Sequence, residues 1–187
     1  MKNQILFSLV LCLFAVTAMG QKNPVKTYDA KLGIGVFPTF LKDDAQVNVL
    51  PITASVDYRL NKKFSLGVYG GYSKSTATKQ EVFGDSNSIQ WSNQFTTAGL
   101  RGTIHHQTAY ENWEVYGGVT LGMNFSTITI LDGTKETADY LKLEDQSKFV
   151  YTAFLGTRFH LSDQLGIFAE LGFLTSLANV GVSYRFN

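Results

Sequence analysis

From Trp113 to Ser126 the chain alternates without a break. Trp113, Val115, Gly117, Val119, Leu121, Met123 and Phe125 take every second position, with Glu114, Tyr116, Gly118, Thr120, Gly122, Asn124 and Ser126 between them. Successive side chains of a strand point to opposite faces, so a period of two held this long requires a sheet with one apolar and one polar face. The pattern recurs upstream. Leu50, Ile52, Ala54, Val56, Tyr58 and Leu60 alternate with Pro51, Thr53, Ser55, Asp57 and Arg59. After the short turn at 61–63, Phe64, Leu66, Val68, Gly70 and Tyr72 alternate with Ser65, Gly67, Tyr69, Gly71 and Ser73. Weaker copies at 27–38, 91–104, 148–160, 164–175 and 179–187 bring the expected total to eight strands. With 17 glycines and 3 prolines among 187 residues, turns fall to Gly, Asn and Asp, and the chain is expected to be one all-β domain.

Connection lengths suggest the topology. Long connections at 39–46, 74–90 and 129–147 alternate with short ones at 61–63 and 161–163 and an intermediate one at 105–112. Up-and-down hairpins place successive connections at opposite ends, so the long loops gather at one end and the short turns at the other. The connection at 176–178 is a short one on the long-loop side.

Residues 1–20 are expected to be a cleaved signal peptide. Lys2 supplies the positive start, an apolar run of 15 residues follows, and Ala18 and Gly20 form a small-residue cleavage site before Gln21. Residues 21–187 would then be the barrel domain. Cys12 would leave with the leader, and loss of Lys2 takes 16 basic residues to 15 against 15 acidic ones. A neutral chain has no electrostatic case for binding nucleic acid.

Which face of the sheet meets water follows from the polar side. A soluble surface is dense in Lys and Glu, whereas here the polar face is mainly Gly, Ser, Thr, Asn and Tyr. Its few charges are Asp57, Arg59, Arg101, Glu114, Arg158, Glu170 and Arg185. That composition suits the narrow interior of an eight-stranded barrel, where large polar groups alternate with glycine and charges must pair. Tyr58, Phe64, Trp113, Phe159, Tyr184 and Phe186 lie on the apolar face at the short-turn end, as an aromatic girdle at a membrane interface does. The terminal "VGVSYRF" alternates to its end, as expected of a strand that pairs with the first to leave no edge open in hydrocarbon.

With its leader, eight amphipathic strands and terminal "VGVSYRF", the chain resembles the small OmpA/OmpX-type outer-membrane β-barrel proteins of Gram-negative bacteria. The resemblance implies an eight-stranded antiparallel up-and-down transmembrane β-barrel in the outer membrane, in contact with outer-membrane lipid and lipopolysaccharide. It also implies recognition by the barrel-insertion machinery through a terminal aromatic signal. That signal maps to Gly181, Val182, Tyr184 and Phe186, although Asn187 follows the aromatic here.

Motifs for chemistry are sparse. His160, Ser162 and Glu170 have the residue types of a hydrolase triad, and the His-x-Ser pair resembles that of lipid A deacylases. At the expected periplasmic end they would lie far from lipid A, and the chain offers no recognisable oxyanion donor. His105 and His106 are adjacent, so in a strand they would point to opposite faces, and they are placed on the short-end turn rather than at a metal. Asn124-Phe125-Ser126 is a chance glycosylation sequon on a lumen strand. The resulting expectation is a non-enzymatic barrel without cofactor or metal, with a structural or surface-interaction role through loops that meet an extracellular ligand. The alternative is a narrow pore for small solutes, and a lipid A-modifying hydrolase is a weaker one. A tight hairpin about Leu177 and Ala178 would place Glu170 opposite Arg185 as a lumen ion pair.

Overall fold

The computed structural model describes residues 27–39, 45–79, 89–132 and 145–186; the expected leader at 1–20, residues 21–26 and 187, and the middles of the three long connections lie outside them. Eight strands follow in chain order: β1 (Thr27–Gly35), β2 (Ala45–Arg59), β3 (Phe64–Lys79), β4 (Ile89–Gln107), β5 (Trp113–Asp132), β6 (Gln146–His160), β7 (Leu165–Gly172) and β8 (Ala178–Phe186). Each pairs antiparallel with the next, and β1 pairs with β8 from Tyr28↔Phe186 to Gly35↔Asn179, which closes the barrel. This is the architecture that the alternation predicts.

Burial runs opposite to that of a soluble protein. Leu100 is 68% and Leu155 60% exposed on the outer face, while Asp29 and Asp57 are 0% exposed inside. Alternating positions carry this inversion along each strand, as in the burial pattern of β2 from Pro51 to Arg59. An outer face of this kind is stable only against hydrocarbon, and a closed barrel satisfies its backbone there without help from water. The girdle at the short-turn end packs as a row. Tyr28 lies opposite both Tyr58 and Phe186, with the Tyr28 and Tyr58 rings 5.0 Å apart. Tyr184 and Phe186 stack edge-on at 4.8 Å.

Polar side chains build the short turns. Asn61 Oδ1 accepts from the backbone N–H groups of Lys63 and Phe64 at 2.8 and 2.9 Å, an arrangement typical of Asx turns. Ser162 Oγ accepts from the Leu165 N–H at 3.0 Å and so closes the β6–β7 turn.

The strands are very unequal. β4 and β5 have 19 and 20 residues, while β7, β8 and β1 have 8, 9 and 9. The long-loop rim therefore steps. β7 accompanies β6 only from Phe154 to His160, and β1 accompanies β2 only from Ile52 to Arg59. Among the described residues, 146–153 and 45–51 thus have no paired strand on one side and form edges of a sheet that rises past its neighbours, with Thr152 Oγ1 accepting from the Phe173 N–H at 3.2 Å.

Three local expectations are corrected. The β7–β8 connection is 173–177, not 176–178, because the chain turns into the barrel after Gly172. Thr175 and Ser176 find polar partners there: Thr175 Oγ1 lies 2.6 Å from the Tyr69 phenol oxygen, and Ser176 Oγ accepts from the Phe37 N–H at 3.1 Å. Leu174 is buried beside them. The register moves accordingly: Glu170 opposes Asn179, not Arg185, whose N–H instead meets the Gln164 carbonyl at 2.8 Å. His105 and His106 are in β4, not on the turn, paired with Tyr116 and Val115. The strand continues through them because His105 has inward partners and the turn forms only at Thr108, whose N–H reaches the Trp113 carbonyl.

Candidate functional site

The polar faces of the strands converge on a charged cluster that fills the lumen. Inward positions two apart supply it in pairs: Asp29 and Lys31 from β1, Asp57 and Arg59 from β2, Glu114 and Tyr116 from β5, Arg158 and His160 from β6. Arg101 and His105 come from β4, Glu170 from β7 and Arg185 from β8. Four carboxylates, Asp29, Asp57, Glu114 and Glu170, face five fixed cations, Lys31, Arg59, Arg101, Arg158 and Arg185.

Two groups are distinguishable. Nearer the middle, Glu170 Oε1 takes Lys31 Nζ at 2.8 Å, Arg101 Nη2 at 3.1 Å and the Tyr116 hydroxyl at 2.9 Å. Lys31 and Arg101 also reach Asp57, at 3.4 and 3.5 Å. Lys31 Nζ stands 4.2 Å from the Tyr116 ring centre, and the Arg101 guanidinium 4.0 Å from that of Phe154, within the range of cation–π attraction. Toward the short turns, Asp29 receives Arg59 Nε at 2.7 Å, Arg185 Nε at 2.8 Å and Arg158 Nη1 at 3.0 Å. Glu114 receives Arg59 Nη2 at 2.5 Å and His105 Nδ1 at 2.7 Å, with His160 Nε2 at 3.5 Å. Arg59 thus bridges the two carboxylates. Glycine opposite the large groups makes the packing possible: a Cβ on Gly156 would lie 2.6 Å from the Tyr116 ring and 2.8 Å from Glu170 Cγ.

All seven charged residues singled out from sequence lie inward in these two groups, but Glu170 and Arg185 are in different ones. Arg185 is held by Asp29, and Glu170 by Lys31 and Arg101. Sequence reasoning missed Asp29, Lys31, His105, Tyr116 and His160 as members. The signal was present in β1, where Asp29 and Lys31 alternate with Tyr28, Ala30 and Leu32. Of the terminal residues, Gly181 faces the lumen, while Val182, Tyr184 and Phe186 are exposed on the outer face.

The hydrolase-like trio does not assemble. His160 lies against Glu114, Ser162 closes its turn and Glu170 belongs to the middle group. A different trio has the bonding order of a catalytic triad: Ser65 Oγ meets His105 Nε2 at 2.8 Å, and His105 Nδ1 meets Glu114. Ser65 is 2% exposed, so a substrate carbonyl has no approach, and the chain of bonds serves to fix the orientation of the imidazole. Ser65→Ala is expected to cost about 1 kcal/mol of stability, the worth of one buried hydrogen bond. A fluorophosphonate probe is expected to leave Ser65 of the folded barrel unmodified, as read by peptide mass spectrometry; a labelled Ser65 would overturn the structural role.

Above the charged groups, a cavity of ≈ 20 Å³ lies among Tyr69, Arg101, Thr120, Glu170 and Asn179. It has room for about one water. The inturned Leu174 and Ser176 also line it, so the β7–β8 connection roofs this part of the lumen.

No protein-family model matches the chain, and no curated protein matches it by sequence. Solved structures do. The outer membrane protein OprG from Pseudomonas aeruginosa superposes with a TM-score of 0.58 at 11% identity, over 88% of this chain and 98% of that one. The N-terminal β-barrel domain of OprF from the same organism gives 0.51 at 12% identity, over 88% and 100%. The de novo designed barrel TMB2.3 gives 0.50 at 18% identity, over 89% and 98%. At such identities the likeness is one of fold, and with the apolar outer face and filled polar lumen it makes this chain an eight-stranded β-barrel of the outer-membrane type.

Proposed function

We propose that the protein is a non-enzymatic outer-membrane barrel whose rising sheet at the long-loop end is an interaction surface. The observation that carries this reading is the edge of β6 at 146–153, which among the described residues has no paired strand beyond Gly172, where β7 stops. Unpaired backbone groups on such an edge can take an extended segment of another protein as an added strand. Phe149 and Tyr151 on this edge are exposed, and they give an incoming strand apolar contacts. The charged lumen supports the reading from the other side, since paired ions filling an eight-stranded interior favour a plug over a solute path. Signal-peptide export with the first strand running outward would put the long loops outside, beside lipopolysaccharide, and the short turns in the periplasm. On β8, Val182, Tyr184 and Phe186 would offer the barrel-insertion machinery its aromatic signal.

Extended peptides selected by phage display on the barrel in nanodiscs test the edge. Adjacent backbone N–H groups point to opposite sides of a strand. Of Phe149→Pro and Val150→Pro, the one that removes the outward-facing donor is expected to weaken binding at least about tenfold, or about 1.4 kcal/mol. Peptides that bind both variants like the wild type would remove the edge from the proposal, and steady unitary conductance in a planar bilayer would replace it with the pore.

A further inference from the structure

A sizeable groove lies outside the barrel. It has a volume of ≈ 580 Å³ and crosses β6 and β7 on the outer face toward the short-turn end. Its origin is a step in side-chain size between neighbouring rungs of the sheet. One rung carries Trp113, Phe159 and Ile167, paired in that order, and the next carries Thr157 and Ala169, opposed to each other, with Val180 beyond. Bulky side chains thus wall a floor of small ones.

We infer that this groove holds one acyl chain of a phospholipid from the leaflet bordering the short turns. Its walls belong to the same exposed apolar belt that the bilayer covers, so the groove is continuous with the lipid interface. The one hydroxyl on its floor, that of Thr157, is already engaged: Trp113 Nε1 donates to it, and it donates to the Glu114 carbonyl at 3.3 Å. The occupant therefore meets no free hydrogen-bonding side chain and is hydrocarbon. A second barrel would have to cover the exposed apolar belt on both sides of the groove as well, whereas an acyl chain needs only the groove itself. Trp113 and Phe159 sit where interfacial aromatics mark the boundary of the hydrocarbon, so a chain entering there keeps its headgroup at the polar interface. The choice of phospholipid over the chains of a glycolipid rests on the proposed orientation, with short turns in the periplasm.

The test uses the purified barrel in nanodiscs of phosphatidylcholine. Native mass spectrometry after transfer to detergent is expected to show one retained phospholipid on the wild type. Ala169→Phe, which fills the floor, is expected to lose it, and Ala98→Phe, an exposed outward site on β4, to keep it. Ala169→Leu stands in if the larger side chain blocks folding, and a boiling-dependent gel shift reports the folded state of each variant. The chain has two tryptophans, so a Trp91→Phe background isolates Trp113. Chain-brominated phospholipid should then quench Trp113 at a lower brominated fraction in the wild type than in Ala169→Phe. Equal lipid retention and equal quenching in the two would overturn the site while leaving the barrel intact. Displacement of the retained lipid by added lipopolysaccharide would overturn the choice of source. An unquenched Trp113 in every variant would remove the membrane placement together with the site.

Discussion

Glu170→Gln is expected to destabilise the barrel by about 3–5 kcal/mol, because it leaves two buried cations, Lys31 and Arg101, with the more distant Asp57 at 3.4 and 3.5 Å as their shared counter-charge. Lys31 and Arg101 both rely on the Glu170 carboxylate, at 2.8 and 3.1 Å, and both are nearly inaccessible to water. Urea titration of the barrel in lipid vesicles, followed by tryptophan fluorescence, reads the loss. The double variant Glu170→Gln with Lys31→Met should recover part of it, since the two changes remove an ion pair together. Glu170→Gln with Arg185→Gln should be additive, since Arg185 is held by Asp29 and shares no close partner with Glu170. Coupling to Arg185 instead of Lys31 would restore the tight-hairpin register and contradict the inturned connection at 173–177.

Gly181→Ala is expected to be nearly as damaging, at about 3 kcal/mol, through overpacking rather than charge. Gly181 opposes Gly33 across the β1–β8 seam, and a Cβ there would lie 2.0 Å from the Leu32 carbonyl oxygen and 2.6 Å from Gly33 Cα. Both are backbone atoms, so no rotamer change relieves the contact, and the closing strand must move away from the first. The boiling-dependent shift on a gel should weaken or vanish, and chemical denaturation should begin at the seam. A variant with wild-type stability would show that the seam has slack. The result also separates packing at the seam from the proposed part of Gly181 in an assembly signal: a seam defect appears in purified protein refolded without assembly factors, whereas a lost signal would appear only in cells.

The faces of the strands were legible in the sequence; the partners inside the barrel were not. Alternation from Trp113 to Ser126 assigns Glu114 and Tyr116 inward whatever the register, because a period of two depends only on the pleat. Which groups meet across the lumen depends on the relative heights of strands far apart in sequence, as with Lys31 of β1 and Glu170 of β7, or Arg59 of β2 and Glu114 of β5. Those heights accumulate from every turn and bulge. The connection after Gly172 shows the difficulty. Phe173, Thr175 and Leu177 continue the alternation in sequence, yet hydroxyl bonds to Tyr69 and Phe37 draw the segment out of the sheet. His105 was misplaced for a related reason: nothing adjacent in sequence announces its inward contacts with Ser65 and Glu114.

The unequal strands also set how the protein deforms its surroundings. β7 and β8, of 8 and 9 residues, reach roughly 20–23 Å along the bilayer normal at about 3.3 Å per residue and a tilt near 40°, short of the ~30 Å of an average hydrocarbon core. The opposite wall, built from β4 and β5, is more than long enough to cross it. Above Ala98 the outer face of β4 turns polar at Thr96, Gln94 and Gln90, so the upper part of the tall flank stands clear of the hydrocarbon. The short flank matches a thin membrane, and the bilayer thins locally beside β7 and β8 or the barrel leans toward that side. A leaning barrel carries its tall flank away from the surface normal and compresses the lipids at its short flank. That asymmetry favours the outer membrane, itself thinner than average, over thicker compartments.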